Sequence, residues 1–317
     1  MSNEITAPLV RLDASDKRKQ DITRSKGPSG IIDGFGRVKE YVKIEGYTNE
    51  CARAFQPRTA RFDQPYQVAA ERLHSDWNTC NRVFLGEIAD CNLKCPYCYQ
   101  GDRAQIETAA VTPSQYLSAF MSSGSRVLRI SGGEPMLHVQ WVEETVSRSL
   151  DMLENPYVWI DTNLTVFHQF PLWLVSSGIV GFCGCFKPGI DGVSVSDQID
   201  VVASWVKSGV DLYIYWPTVE GDGTSSCGQM VECLEALYLI DPALPLRVTP
   251  IHIDWAYAAI HTYDSALLGG AIAVYDQCRT ALNLWSNRRY VPEILWLPSH
   301  QVPLRMSREW WRKQWLQ

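Results

Sequence analysis

After residue 81 the chain settles into a regular alternation of apolar and polar positions. Short apolar or β-branched runs (RVFLGEI, RVLRISG, YVWIDTN, IVGFCGCF, VDLYIYWPTV and LPLRVTPIHI) are separated by stretches with helical spacing (PSQYLSAFMSS, HVQWVEETVSRSLDMLE, FPLWLVSSG, DQIDVVASWVKSG and CGQMVECLEALYLID). The pattern predicts six strands with five helices between them. Strands that alternate with helices through short Gly, Asp and Pro loops pair in parallel with the helices outside, as an α/β sheet or a partly closed barrel.

The rest of the chain is less regular. Residues 1–28 mix charges with Ser, Thr and Asp and run into the breaker sequence KGPSG, which predicts a mobile or wrapping N-terminal arm. Residues 29–80 form a lead-in segment with a strand-like VKEYVKIEGY and a helix-like QVAAERLHSDW. The alternating region is expected to span 81–255, and a helical extension, 256–317, ends in the Trp-rich SREWWRKQWLQ.

Composition narrows the class. The 317 residues are 46% hydrophobic and 20% charged, enough apolar material for a folded core, and the net charge of -6 disfavours nucleic acid as a partner. No run approaches the roughly 18 apolar residues of a membrane helix, so a cytoplasmic protein without membrane attachment is expected. In that compartment thiols stay reduced, and ten cysteines with a tight cluster point to metal or redox chemistry before disulfides.

The cluster is CNLKCPYC, with Cys91, Cys95 and Cys98 in the loop after the first strand of the series. In parallel α/β folds the C-terminal ends of the strands are where ligands gather. A structural zinc ion takes four ligands, commonly two close pairs, and the other cysteines supply no second pair in a suitable place: Cys183 and Cys185 lie in a strand, Cys227 and Cys233 on a helix, and Cys278 stands by itself. Three thiolates on a 4Fe-4S cluster leave one iron open to a further ligand.

In Cys91, Cys95, Tyr97 and Cys98 the chain resembles the radical S-adenosylmethionine enzymes, whose signature is CxxxCx(aromatic)C, and ISGGEP one strand later (Ile130 to Pro135) is similar to their GGEP motif. The resemblance covers about residues 80–255. It implies a partial (β/α)6 TIM-like barrel of parallel strands, carrying the N-terminal lead-in and the helical C-terminal extension. It also implies one oxygen-sensitive 4Fe-4S cluster on the three cysteines and S-adenosylmethionine on its open iron. Ser131, Gly132, Gly133, Glu134 and Pro135 would then meet the methionine portion, with Tyr97 facing the adenine. Reductive cleavage would release a 5'-deoxyadenosyl radical that takes hydrogen from a small-molecule or peptide substrate in a rearrangement, dehydrogenation, epimerisation or C-C bond formation. The electron would come from a donor such as flavodoxin or ferredoxin.

Other strand ends supply further candidates. Asp161, Thr162 and Asn163 close the third strand and suit either the cofactor or an Asx turn. Lys187 after the fourth strand suits an anionic group or solvent, and His252 and Asp254 at the sixth suit the substrate space or a structural hydrogen bond. Lys187 and His252 are the catalytic candidates. Tyr213, Tyr215 and Trp216 read as core. The extension from 256 holds only Cys278, so a single cluster is expected, without the cysteine-rich second one of elaborated relatives. A glycyl-radical activase is the alternative enzyme, and a non-catalytic zinc or iron-sulfur module the alternative of another class.

Overall fold

The computed structural model describes residues 5–10, 37–43, 50–56, 64–75, 83–95, 98, 108–123, 125–218, 227–252, 265–295, 302 and 304. Six parallel strands form its centre: β4 (Val83–Ile88), β6 (Val127–Gly132), β7 (Tyr157–Thr162), β8 (Val180–Cys185), β9 (Leu212–Thr218) and β10 (Val248–His252), each paired with the next in that order. The five intervening helices are α2 (Pro113–Ser123), α3 (Val139–Met152), α4 (Leu172–Ser176), α5 (Val195–Ser208) and α6 (Cys227–Ile240). The parallel α/β series is therefore as its periodicity predicts, and the sheet is open, running from β10 through β4 to antiparallel strands on the far side.

Of those antiparallel strands, β2 (Arg37–Lys43) falls on the strand-like VKEYVKIEGY, and the others carry no clear periodic signal. β1 (Ala7–Val10), inside the N-terminal arm, pairs antiparallel with β4 and with β5 (Thr108–Val111). β2 pairs with β3 (Glu50–Gln56), which in turn pairs with β4. Strands of four residues are too short for alternation to stand out from chance. Helix α1 (Gln64–Arg72) precedes the parallel series, and α7 (Ser265–Asn287) and α8 (Pro292–Leu295) follow it. Among the described residues no helix is long and apolar enough to cross a membrane.

Side chains alternate across the parallel strands. Phe84, Leu128, Ile130, Val158, Ile160, Phe182, Leu212 and Ile214 point to the helix-covered face and make the main core with α2, α3 and α5. Helix α3 meets it along one stripe, Trp141, Val142, Thr145, Val146 and Ser149. Helix α5 begins where Ser194 accepts from the Asp197 amide and stops where the Gly209 N–H donates to the carbonyls of Trp205 and Val206.

The opposite face of the sheet carries a second, smaller cluster: Val127, Tyr157, Trp159, Cys183, Tyr213 and Tyr215, closed by Val68, Ala69 and Leu73 of α1. Near the N-terminal ends of the strands Arg247 lies buried, donating to Asp211 at 2.6 Å and to the carbonyls of Leu212 and Val302, with its guanidinium 4.5 Å from the Tyr213 ring centre. The strands' C-terminal ends are left to the cysteine loop.

Candidate metal and cofactor site

Strand β4 runs through Ile88 into the loop that carries Cys91, Cys95 and Cys98. All three are thiols outside any disulfide and of intermediate burial. The Cys98 amide donates to the Cys95 carbonyl at 3.0 Å, and the Leu93 amide points at Cys91 Sγ at 3.4 Å, so the loop coils back on its thiols. Burial pushes the Cys95 thiol up to about 11, against the pull of the Lys187 ammonium. Metal binding must therefore displace that proton. Among the described residues no three His, Cys, Asp or Glu side chains gather closely enough for a single ion. A 4Fe-4S cluster does not ask for that, because its thiolates attach to separate irons. Three half-buried thiols on one short loop at the strand ends suit such a cluster.

The GGEP segment is bound to this loop through the main chain. The Gly133 amide donates to the Ile88 carbonyl at 2.6 Å, and the Glu134 amide to the Asp90 carbonyl at 2.7 Å. Gly132 ends β6 with φ 95°, a left-handed conformation that a Cβ opposes by about 1–2 kcal/mol. Ser131, Gly132 and Gly133 are half-buried along this edge, and Pro135 is buried at the start of a 3-10 turn, Pro135–His138.

Glu134 is turned into the protein. It is fully buried, its Oε1 accepts from the Met136 amide at 3.0 Å and the Thr162 hydroxyl at 2.8 Å, and its Oε2 accepts from the Asn163 amide at 2.6 Å. Burial raises its carboxyl to about 6 despite these three donors. Glu134 thus joins the ends of β6 and β7, and three acceptor positions expected at a ligand are taken by the protein.

The DTN triplet divides in the same way. Asp161 faces away from the main core, where its Oδ2 takes Arg129 Nε at 2.7 Å and its Oδ1 takes Trp159 Nε1 at 2.8 Å. Thr162 serves Glu134. Asn163 makes an Asx turn, with Oδ1 accepting from the Thr165 amide, and turns its Nδ2 toward Asn92 Oδ1 at 2.9 Å and Cys91 Sγ at 3.9 Å. The next residue, Leu164, has φ 59° and a fully buried side chain seated against Gly184.

Lys187 is half-buried with Nζ 3.3 Å from Cys185 Sγ, and its influence on Cys95 places it beside the cysteine loop. His252 ends β10, paired with Thr218. Tyr97 and Asp254 lie outside the described residues. Sequence reasoning missed Asn92, Thr165 and Gln198. The last is a fully buried glutamine of α5 that donates to the Asn163 carbonyl at 2.6 Å and accepts from the Lys187 amide at 3.1 Å, tying β7 to β8. Its only signal was a polar side chain on the apolar stripe of α5.

Comparison with known proteins adds to this geometry. Residues 79–170 match the model of the 4Fe-4S single cluster domain. Among solved structures, SuiB of Streptococcus suis is 16% identical, with 52% of this chain and 37% of that chain covered and a TM-score of 0.41. SuiB bound to S-adenosylmethionine is also 16% identical (60% and 43% covered, TM-score 0.40), and hexahistidine-tagged anSMEcpe with bound AdoMet is 15% identical (52% and 48% covered, TM-score 0.40). The chain thus spans less than half the length of each of these solved chains. No curated protein matches it. The domain match over 79–170 encloses both the cysteine loop and GGEP, so this part of the chain is similar to 4Fe-4S single cluster domains.

Proposed function

We propose that this chain is an enzyme that cleaves S-adenosylmethionine reductively at a cluster held by Cys91, Cys95 and Cys98 and turns the resulting radical on a small metabolite or a peptide. The observation that carries the reading is the main-chain pairing of the cysteine loop with GGEP, through the Gly133 and Glu134 amides. It supports a three-thiol ligand set beside a strand end whose glycines put no Cβ in the way of a backbone-bound cofactor. Bound together, cluster and S-adenosylmethionine supply a 5'-deoxyadenosyl radical when an electron arrives from a donor such as flavodoxin or ferredoxin.

The chain's own residues hold and orient. Ser131, Gly132 and Gly133 offer an edge without bulky side chains to the methionine portion of the cofactor. Glu134 acts from behind that edge, holding β6 and β7 in step. Lys187 supplies a cation beside the cysteine loop for a carboxylate of cofactor or substrate. Arg129 and Asp161, paired and half-buried on the face away from the main helix layer, offer charged groups to a substrate on that side.

The test is anaerobic. The chain is reconstituted with iron and sulfide, reduced with dithionite in the presence of S-adenosylmethionine, and assayed for 5'-deoxyadenosine beside Cys98→Ala. Product from the native chain alone supports the reading. A native chain with a reducible cluster that yields none, with or without candidate peptides, overturns it, and zinc in place of iron in the native isolate favours a non-catalytic module.

A further inference from the structure

Asn163 sits where the GGEP segment and the cysteine loop meet. Its amide is held by Glu134 at 2.6 Å and its carbonyl by Gln198 at 2.6 Å, so its backbone is fixed from both sides. Its side chain belongs to a closed ring of three groups. Asn163 Nδ2 donates to Asn92 Oδ1 at 2.9 Å, Asn92 Nδ2 donates to the Thr165 hydroxyl at 2.7 Å, and that hydroxyl donates back to Asn163 Oδ1 at 2.5 Å. The Thr165 amide donates to the same Oδ1 at 2.9 Å. With Oδ1 occupied by two donors, the carboxamide has one orientation, and its NH2 group must face Asn92 and Cys91. One N–H goes to Asn92, and the other points toward Cys91 Sγ, 3.9 Å away, at the outer limit of an N–H···S contact.

We propose that Asn163 tunes the reduction potential of the cluster by presenting this second N–H to the Cys91 thiolate. The proposal rests on the reading that Cys91 is a cluster ligand. Hydrogen bonds to cluster sulfurs are among the levers that set its potential. Reduction adds one electron and so more negative charge to the ligand sulfurs, and a donor favours the more negative state. Cys91 receives two such donors: the Leu93 amide, which belongs to the main chain, and Asn163, which a substitution can remove. The rest of the ring has a purpose on this reading, since it keeps Asn163 from rotating its oxygen toward the thiolate.

The test is an anaerobic dithionite titration followed by electron paramagnetic resonance, with iron and sulfide counted in each sample, on the reconstituted native chain, Thr165→Val, Asn163→Ala and Asn163→Asp. The expected midpoints become more negative in that order. Thr165→Val loosens the amide, Asn163→Ala removes the donor, and Asn163→Asp places an acceptor where the donor was. A purely structural role for Asn163 would lower iron content without ordering the potentials. Asn163→Ala with full iron and the native midpoint overturns the proposal. If that variant does not load, Thr165→Val with full iron and an unshifted midpoint overturns it equally. A native chain that takes up no iron overturns the cluster reading beneath it, a result the iron count separates from the other two.

Discussion

Glu134 holds its proton more tightly than an ordinary carboxyl, because burial outweighs the three donors around it. The folded carboxyl at about 6 stands above the ordinary 4.5, so between those values the native chain binds more protons than the unfolded one. Stability contributed by this group is then greatest below the window and falls as pH rises through it, by about 2 kcal/mol in all. Denaturant midpoints at pH 4.5 and pH 7 should show this fall in the native chain. Glu134→Gln should lack it and be less stable at both, because its NH2 meets donors where an acceptor stood, a cost of about 1–3 kcal/mol. Identical pH slopes in the two chains would mean that another group titrates. Glu134 was legible as part of GGEP, but its direction was not, since periodicity along β6 says nothing about the turn that follows Gly132.

At the scale of elements, the loop after β7 depends on a vacancy in β8. A Cβ on Gly184 would lie 2.5 Å from Leu164 Cδ1, and Leu164 already holds a left-handed backbone. Such a conformation persists in a non-glycine residue only where the surroundings over-determine it, here by the buried leucine and by the Thr162 hydroxyl that accepts the Leu164 amide at 3.2 Å. Gly184→Val should therefore cost about 1–3 kcal/mol and move the 162–165 loop. The readouts are a thermal midpoint and the amide spectrum of Asn163. A midpoint unchanged from native would show that Leu164 has room to turn aside. The sequence displayed CGCF only as an apolar strand, so which glycine matched which neighbour became visible with the register of β7 on β8, where Thr162 pairs Gly184.

Across the whole molecule, what was legible was what repeats. Six parallel strands and five helices follow from repeated apolar spacing. The two motifs fell at strand ends because loops in such a fold must begin there. Of the antiparallel flank only β2 was legible: β1 and β5 are short, and their pairing joins residues about a hundred positions apart. The flank matters to the site nonetheless. Ala7 and Leu9 are buried, and the Pro8 carbonyl accepts the Ala89 amide at 2.9 Å, just ahead of Cys91. Removing residues 1–10 should shorten the life of the reconstituted cluster under a chelator, followed by its visible absorbance. Decay at the native rate would show that β1 braces the sheet without bracing the loop.

The bonds that align the cysteine loop with GGEP run from amide to carbonyl, and no side chain takes part in them. An alignment written in the main chain survives changes of residue type around it. The pairing of Arg129 with Asp161 on the sheet's other face is written in side chains. Substitutions on that face can thus be made while the cysteine loop and GGEP stay in register, as one tool holder accepts many blades.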